Sequence, residues 1–314
     1  MIITNKHRKF WIPLGVFLLT IWFVLEGENK LAFISFFLLF GYIFFIVFFR
    51  TKYLQEEGVD YSNGLPVAKD DNLPCYTYYG EELNFTDQEL TEILTKRFSY
   101  FTSLSADNKS IFLKRLTRFI AEKTFKIYDD TVFREMPVLI SAAAIQLTFG
   151  LEKYLLPHFQ FIHIYPQEFM RTAPVLCLLE GNVSGRAINL SWKHFLEGYA
   201  KPTDGQNVGL HEMSHALYYQ TFVVEENIDK NFREQYSSFR NDANKAYHTE
   251  KNIYGGLYSE YAEKNFQEFW AESIELFFEK PASLNRSYRR LYASLKGLLN
   301  QDPLTAINDP LTPR

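Results

Sequence analysis

Cysteine is nearly absent from this chain: Cys75 and Cys177 are the two in 314 residues, far apart and in no C-x-x-C pair. Zinc sites built from cysteine thiolates are therefore excluded. Two reduced thiols in a reducing compartment are the expected state, and the spacing leaves open whether they pair. An excess of one charge is also missing. Lys and Arg number 33 against 37 Asp and Glu, a net charge of −4. A chain so balanced has no general attraction for polyanions, so no nucleic-acid partner is expected. The length suffices for one large domain or two, with a substantial core.

Aromatic residues are abundant, at 17% with 30 Phe, and many of the Phe lie near the N-terminus. Two uncharged apolar runs stand there, Phe10 to Leu25 and Leu31 to Phe49, separated by the polar turn Glu26-Gly27-Glu28-Asn29-Lys30. A span of the bilayer needs roughly 20 apolar residues, which the second run nearly supplies and the first approaches with its flanks. A cleaved signal peptide is the competing reading, since Lys6, Arg8 and Lys9 form a basic start. No small-residue cleavage site follows Leu25, however, so a two-helix transmembrane hairpin over residues 1–52 is expected. Basic residues flank the hairpin outside (Lys6, Arg8, Lys9, Arg50, Lys52), with only Lys30 between the runs. The positive-inside rule then puts both termini in the cytoplasm. Residues 53–75 mix acids with Gly58, Gly64, Pro66 and Pro74 without periodicity and read as a linker.

From residue 76 to 314 the pattern is that of a mainly helical α+β domain with a small sheet. Thr86-Asp87-Gln88-Glu89 is a capping box, continued by Leu90, Ile93, Leu94 and Phe98. Ser105 can cap a second helix, and a third is expected from about Arg134 to Phe149, ended by Gly150. All three are expected as amphipathic core helices without chemistry. Residues 159–165 and 185–192 read as strands, with Ser191 capping a short helix and Asp204-Gly205 forming the next loop. His158, His163 and His194 lack spaced partners and are expected to be structural.

The sharpest signal is Asn207-Val208-Gly209-Leu210-His211-Glu212-Met213-Ser214-His215-Ala216-Leu217, which contains H-E-x-x-H. In a helix, residues i and i+4 share a face, so His211 and His215 can point both imidazoles at one metal ion. Glu212 sits about 100° around the helix, where it can reach a water rather than the metal. A chain of this length meets the motif by chance about once in a hundred, from average composition. The uncharged flanks suit a helix buried beside a cleft. Ala187 to Leu190 is the candidate strand on which an extended substrate would add.

A catalytic zinc commonly takes three protein ligands and leaves one position for water. His248 is one candidate for the third. Another lies in the stretch Tyr261 to Phe278, where Phe266, Phe269, Trp270, Ser273, Phe277 and Phe278 form a stripe at helical spacing. Glu268 and Glu272 stand four apart on another face, with Glu275 a turn further. Glu268 can bind metal while Glu272 accepts the second ring N–H of a ligand histidine. The same glutamates serve equally as the solvated face of an amphipathic helix.

Together these stretches resemble a known family. Leu190-Ser191-Trp192, then Asp204-Gly205-x-Asn207-Val208-x-Leu210-His211-Glu212-x-x-His215-x-Leu217, is similar to the Mlc titration factor A family of zinc peptidases. Tyr261-x6-Glu268-Phe269-x-Ala271, Phe277-Phe278-x-x-Pro281, Glu135-Met136-x-Val138-Leu139-Ile140-x-Ala142 and Tyr165-Pro166-x-x-Phe169 fit its pattern too, over roughly residues 76 to 300. The Tyr and Glu spacing also resembles the catalytic domain of anthrax lethal factor, a gluzincin. The resemblance implies a zincin-like metallopeptidase domain in which His211, His215 and Glu268 bind Zn2+. It implies Glu212 as general base and Tyr261 as the donor that steadies the oxyanion, with Glu272 and Asn207 behind the ligands. Two positions depart: Tyr218 stands where the family usually has Asp, and Asn265-Phe266-Gln267 where it has Asn/Asp-Pro-Ala. The membrane hairpin is an addition to the soluble pattern.

The expectation is therefore a zinc metallopeptidase acting on a peptide or protein, held to the bilayer through residues 10–49. Its catalytic domain would face the cytoplasm at a bacterial-type inner membrane. The family takes its name from capture of a repressor, so a regulatory protein-binding module with little turnover, acting on a regulatory protein partner, is the alternative.

Overall fold

The computed structural model describes residues 74–131, 133–171, 177–250 and 256–305. The hairpin expected over residues 10–49 lies outside them. Among the described residues no helix is long and apolar enough to cross a membrane.

In chain order the elements are β1 (Tyr76–Tyr79), α1 (Asp87–Arg97), α2 (Ser99–Thr102), α3 (Ala106–Ala121), β2 (Thr124–Ile127) and α4 (Glu135–Thr148). There follow β3 (Phe161–Tyr165), β4 (Phe169–Arg171), β5 (Cys177–Leu179), β6 (Gly181–Ser184), β7 (Ala187–Ser191) and α5 (Trp192–Ala200). The last are α6 (Val208–Tyr219), α7 (Lys230–Glu250), α8 (Phe266–Glu279), α9 (Pro281–Ser287) and α10 (Arg289–Leu299). The mainly helical α+β expectation holds.

Local signals account for the helix starts. The Thr86 hydroxyl accepts from the Glu89 amide and the Glu89 carboxylate accepts from the Thr86 amide, so both halves of the capping box form. Ser105 caps α3 and Ser191 caps α5 as their positions imply. The expectation of an amphipathic α4 is corrected: Met136 through Thr148 are all buried. Alanines and aliphatics on every side leave no face that gains from water, so this helix runs through the core. Gly150 follows α4 without the left-handed backbone of a glycine cap, and its duty is close packing. A Cβ there would stand 2.2 Å from the Leu299 carbonyl oxygen, so glycine admits the end of α10.

One five-stranded sheet runs in the order β1-β2-β3-β7-β6, and β4 and β5 form a separate two-stranded ribbon. The pairs β2–β3 and β3–β7 are parallel, whereas β1–β2 and β6–β7 are antiparallel. This order corrects the expected substrate strand. β7 is hydrogen-bonded on both sides, to β3 and to β6, and has no free edge. The edge beside α6 is β6, whose Gly, Asn and Ser composition reads as loop in a pattern search.

α6 lies against α4, α8 and the β6–β7 end of the sheet. Leu210, Met213, Ala216 and Leu217 are buried there, each large side chain contributing about 1.5–3 kcal/mol. The Trp270 indole N–H of α8 donates to the Ser214 carbonyl of α6 at 3.0 Å, and Trp270 is fully buried. The two helices that carry the candidate site residues are thereby locked in register.

Candidate metal centre

Asn207 starts α6. Its side-chain oxygen accepts from the Leu210 amide at 3.0 Å, fixing the turn that presents His211. His211 and His215 then face the same side, their Nε2 atoms 3.2 Å apart. Asn265 starts α8 in the same way, accepting from the Gln267 and Glu268 amides. The unusual Phe266 occupies the first helical position, where the family's proline would leave no hydrogen bond unmade, so the helix start is unaffected. Tyr218 is likewise harmless to the site: it is buried against Phe222 and Tyr236.

From α8, Glu268 Oε2 lies 3.0 Å from His211 Nε2 and 3.5 Å from His215 Nε2. Three potential ligand atoms therefore form a triangle with edges of 3.0, 3.2 and 3.5 Å. A tetrahedral ion bound at roughly 2.0–2.1 Å sets its ligand atoms about 3.3 Å apart, so the triangle fits such an ion with the fourth direction open. Among the described residues this is the group of His, Cys, Asp or Glu that converges closely enough to hold a metal. His248, at the end of α7, is outside it.

The carboxylate behind the histidine is a correction. Glu275 Oε1, not Glu272, meets His211 Nδ1, at 2.6 Å. Helix geometry explains the exchange: seven residues return to within about 20° of the starting direction, whereas four overshoot by about 40°. Glu275 thus shares the face of Glu268, and Glu272 is turned toward the preceding loop. Against a carboxylate acceptor, His211 keeps a proton on Nδ1, so Nε2 is the nitrogen that would give up its proton to bind a metal. Glu275 is itself held, accepting from the Asn207 amide at 2.5 Å. Asn207 Nδ2 donates to Glu279 Oε1, whose other oxygen accepts from the Gly205 amide. Asn207 thus reaches His211 through Glu275. Glu275 and Glu279 are only 5% and 7% exposed, so this stripe of α8 is buried and is not a solvated face.

Electrostatics follow from this burial. Burial works against a charged His211, but Glu275 and Glu268 outweigh it and hold the imidazole well above its usual range. Burial likewise opposes ionisation of Glu268, yet the bonds from His211 and His215 hold it well below the ordinary carboxylate range. Glu212 differs. It is 5% exposed, and burial pushes its carboxyl up to about 7 against the pull of the two histidines. Its Oε2 is buried without a hydrogen-bond partner. A buried carboxylate oxygen left unpaired is costly, and such atoms mark places where water or substrate completes the site.

His211, Glu212, Glu272, Glu275 and Tyr261 all line one cleft of about 640 Å3, walled on the sheet side by Leu178 to Gly181. Gly181 was not singled out by the sequence. A Cβ there would come 2.6 Å from Glu212 Cγ and 2.8 Å from Val208 Cγ2, so the bare backbone of β6 makes room for Glu212. Tyr261 is 44% exposed at the mouth, its ring centroid 6.4 Å from that of His211 and 3.5 Å below Lys264 Nζ.

With the helices, ligand triangle and cleft in place, the comparison with known families is decisive. The family of glucose-regulated metallo-peptidases M90 matches residues 81–299, from just after β1 to the end of α10. The chain belongs to that family. Its M90 membership covers both helices of the centre and implies a metallopeptidase. No match was found among curated proteins.

Three further histidines of the M90 domain, His158, His163 and His194, lie outside the converging group. His163 Nδ1 faces the Tyr128 hydroxyl at 3.4 Å, and His158 Nε2 meets the Gly185 carbonyl at 2.9 Å. His194 sits between the Ser191 hydroxyl and the Glu168 carboxylate. Cys75 is a free, exposed thiol.

Proposed function

We propose that this chain is a zinc-dependent peptidase of the gluzincin type, with His211, His215 and Glu268 as ligands. The observation that carries the reading is the convergence of those three donor atoms beside the unpartnered Glu212 carboxylate oxygen. Zinc bound there would lower the pKa of water toward 7 and polarise a scissile carbonyl. Glu212, buried beside the ligands with one carboxylate oxygen unpaired, takes the proton of the attacking water and returns it to the leaving amine. Glu275 keeps His211 in the tautomer that leaves Nε2 free. Tyr261 stands at the cleft mouth to donate to the oxyanion as charge develops. An extended peptide lies along the edge of β6, where main-chain hydrogen bonds set its register. Intact donors and an unpaired Glu212 favour turnover over the binding-only alternative, because a pure docking surface has no use for a buried, unbonded carboxylate. Anchoring by the runs at residues 10–25 and 31–49, with the peptidase domain on the cytoplasmic side, is proposed from their hydropathy and flanking charge.

The test is the pair Glu212→Gln and Glu268→Ala in the full chain, read by elemental analysis and by cleavage of a mixed peptide library. Glu212→Gln retains zinc and loses cleavage; Glu268→Ala loses zinc. Cleavage surviving in Glu212→Gln overturns the assignment of the base.

A further inference from the structure

Glu272 does not contact a ligand histidine, and its actual partners give it a different task. Its Oε2 accepts from the Ser259 amide at 2.9 Å and its Oε1 from the Ser259 hydroxyl. The Ser259 hydroxyl oxygen in turn accepts from the Tyr261 amide at 3.0 Å. One carboxylate on α8 therefore holds the turn that delivers Tyr261 to the cleft. A neighbouring tie acts on the same segment. The Tyr258 hydroxyl meets Ser273 Oγ at 2.8 Å, and its ring stacks on Phe269 at 4.3 Å. The backbone at Leu257 is bound as well, donating to Glu250 Oε1 at 3.3 Å. Tyr258 and Ser259 are thus fixed to the helix that carries Glu268, and Leu257 to the end of α7. The Tyr261 ring lies under Lys264 Nζ and near the His211 ring, and the Ser259 tie sets the backbone from which it projects.

We propose that Glu272 is a positioning residue: through Ser259 it fixes the turn at Tyr261, so that the phenol stands beside His211 when the oxyanion forms. This rests on the reading of Tyr261 given above. The physical reason is that a donor aimed at developing charge acts only if its position is set before the reaction, and about 1 Å of misplacement can cost about 100-fold. Glu272 reaches Tyr261 by two short steps, carboxylate to Ser259 hydroxyl and hydroxyl to Tyr261 amide, with no long lever between them.

The experiment uses the full chain and four variants: Glu272→Ala, Glu272→Gln, Tyr261→Phe and the double variant Glu272→Ala/Tyr261→Phe. Turnover is measured on one quenched fluorescent peptide chosen from a mixed-sequence library, together with zinc content and amide hydrogen exchange. Glu272→Ala is expected to keep its zinc, lower kcat by about 10- to 100-fold with little change in KM, and speed exchange at the Ser259 and Tyr261 amides. Glu272→Gln, which keeps an acceptor for the Ser259 amide, recovers most of that loss. The double variant is no slower than Tyr261→Phe alone. Multiplying losses in the double variant, unchanged exchange at Ser259 and Tyr261, or zinc lost from Glu272→Ala each overturns the positioning role. Full activity in Tyr261→Phe overturns the tyrosine reading, and the proposal with it, while zinc content shows whether the metal centre stands.

Discussion

His211 and Glu275 are bound to each other at 2.6 Å, Nδ1 to carboxylate, across the interface of α6 and α8. The contact decides which nitrogen of His211 is free for a metal, and it ties the ligand helix to the Glu268 helix at a point beyond the ligands themselves. Glu275→Gln would retain the shape and lose the charge that sets the tautomer. Zinc affinity should fall about 10- to 100-fold, measured by competition with a calibrated chelator. Affinity equal to the parent would show that the contact does not orient the ligand.

Gly181 makes room for Glu212. In Gly181→Ala the added methyl meets the Glu212 side chain and Val208 at less than van der Waals distance, so Glu212 or β6 must shift. Over-packing of this kind costs about 1–3 kcal/mol, and kcat should fall while zinc content is kept. Denaturant unfolding and turnover of the same preparation check both halves.

Lys123 makes a pH signature away from the site. It is 2% exposed, its ammonium donates to the Leu155 and Leu156 carbonyls, and burial lowers its pKa to about 8. The unfolded chain binds this proton more tightly, so between about pH 8 and 10.5 the unfolded state holds more protons and stability rises with pH. Relative to Lys123→Met, the parent should gain up to about 3 kcal/mol over that window, read from urea midpoints at several pH values. Parallel pH profiles for the two proteins would remove the effect.

The proposed anchor has its own test. Extraction of cell membranes with alkaline carbonate should leave the full chain in the pellet, and deletion of residues 1–52 should release it. A full chain found in the carbonate supernatant would argue against spanning segments at residues 10–49.

Much of the centre was legible because it is local. His211 and His215 are four apart on one helix, and their shared direction follows from helical pitch alone. Asn207, Thr86 and Ser105 are caps readable from residue type and the run that follows. Glu268 was already a candidate from its place on a second helix, though spacing alone left His248 open and left the glutamates of α8 free to be a solvated face. The burial of Glu275 and Glu279 against α6 closes the second question, and it depends on how two helices separated by α7 come together. Glu275 had a signal, the seven-residue interval from Glu268, yet which of two carboxylates reaches His211 turns on the approach of the helices.

By itself, then, the sequence determined the elements and their chemical endowment: capped helices, an H-E-x-x-H face, a carboxylate helix, and two apolar runs of near-bilayer length. Those follow from backbone periodicity and side-chain type, which act over a few residues. Only the tertiary structure decided that β6 rather than β7 is the open edge, that Gly181 lies under Glu212, and that Glu272 holds Ser259 instead of a histidine. Each of these is a contact between segments far apart in the chain, set by sheet order and by the Trp270–Ser214 lock between α6 and α8. Such contacts have no local signal, because the energy that selects them comes from burying whole elements against one another.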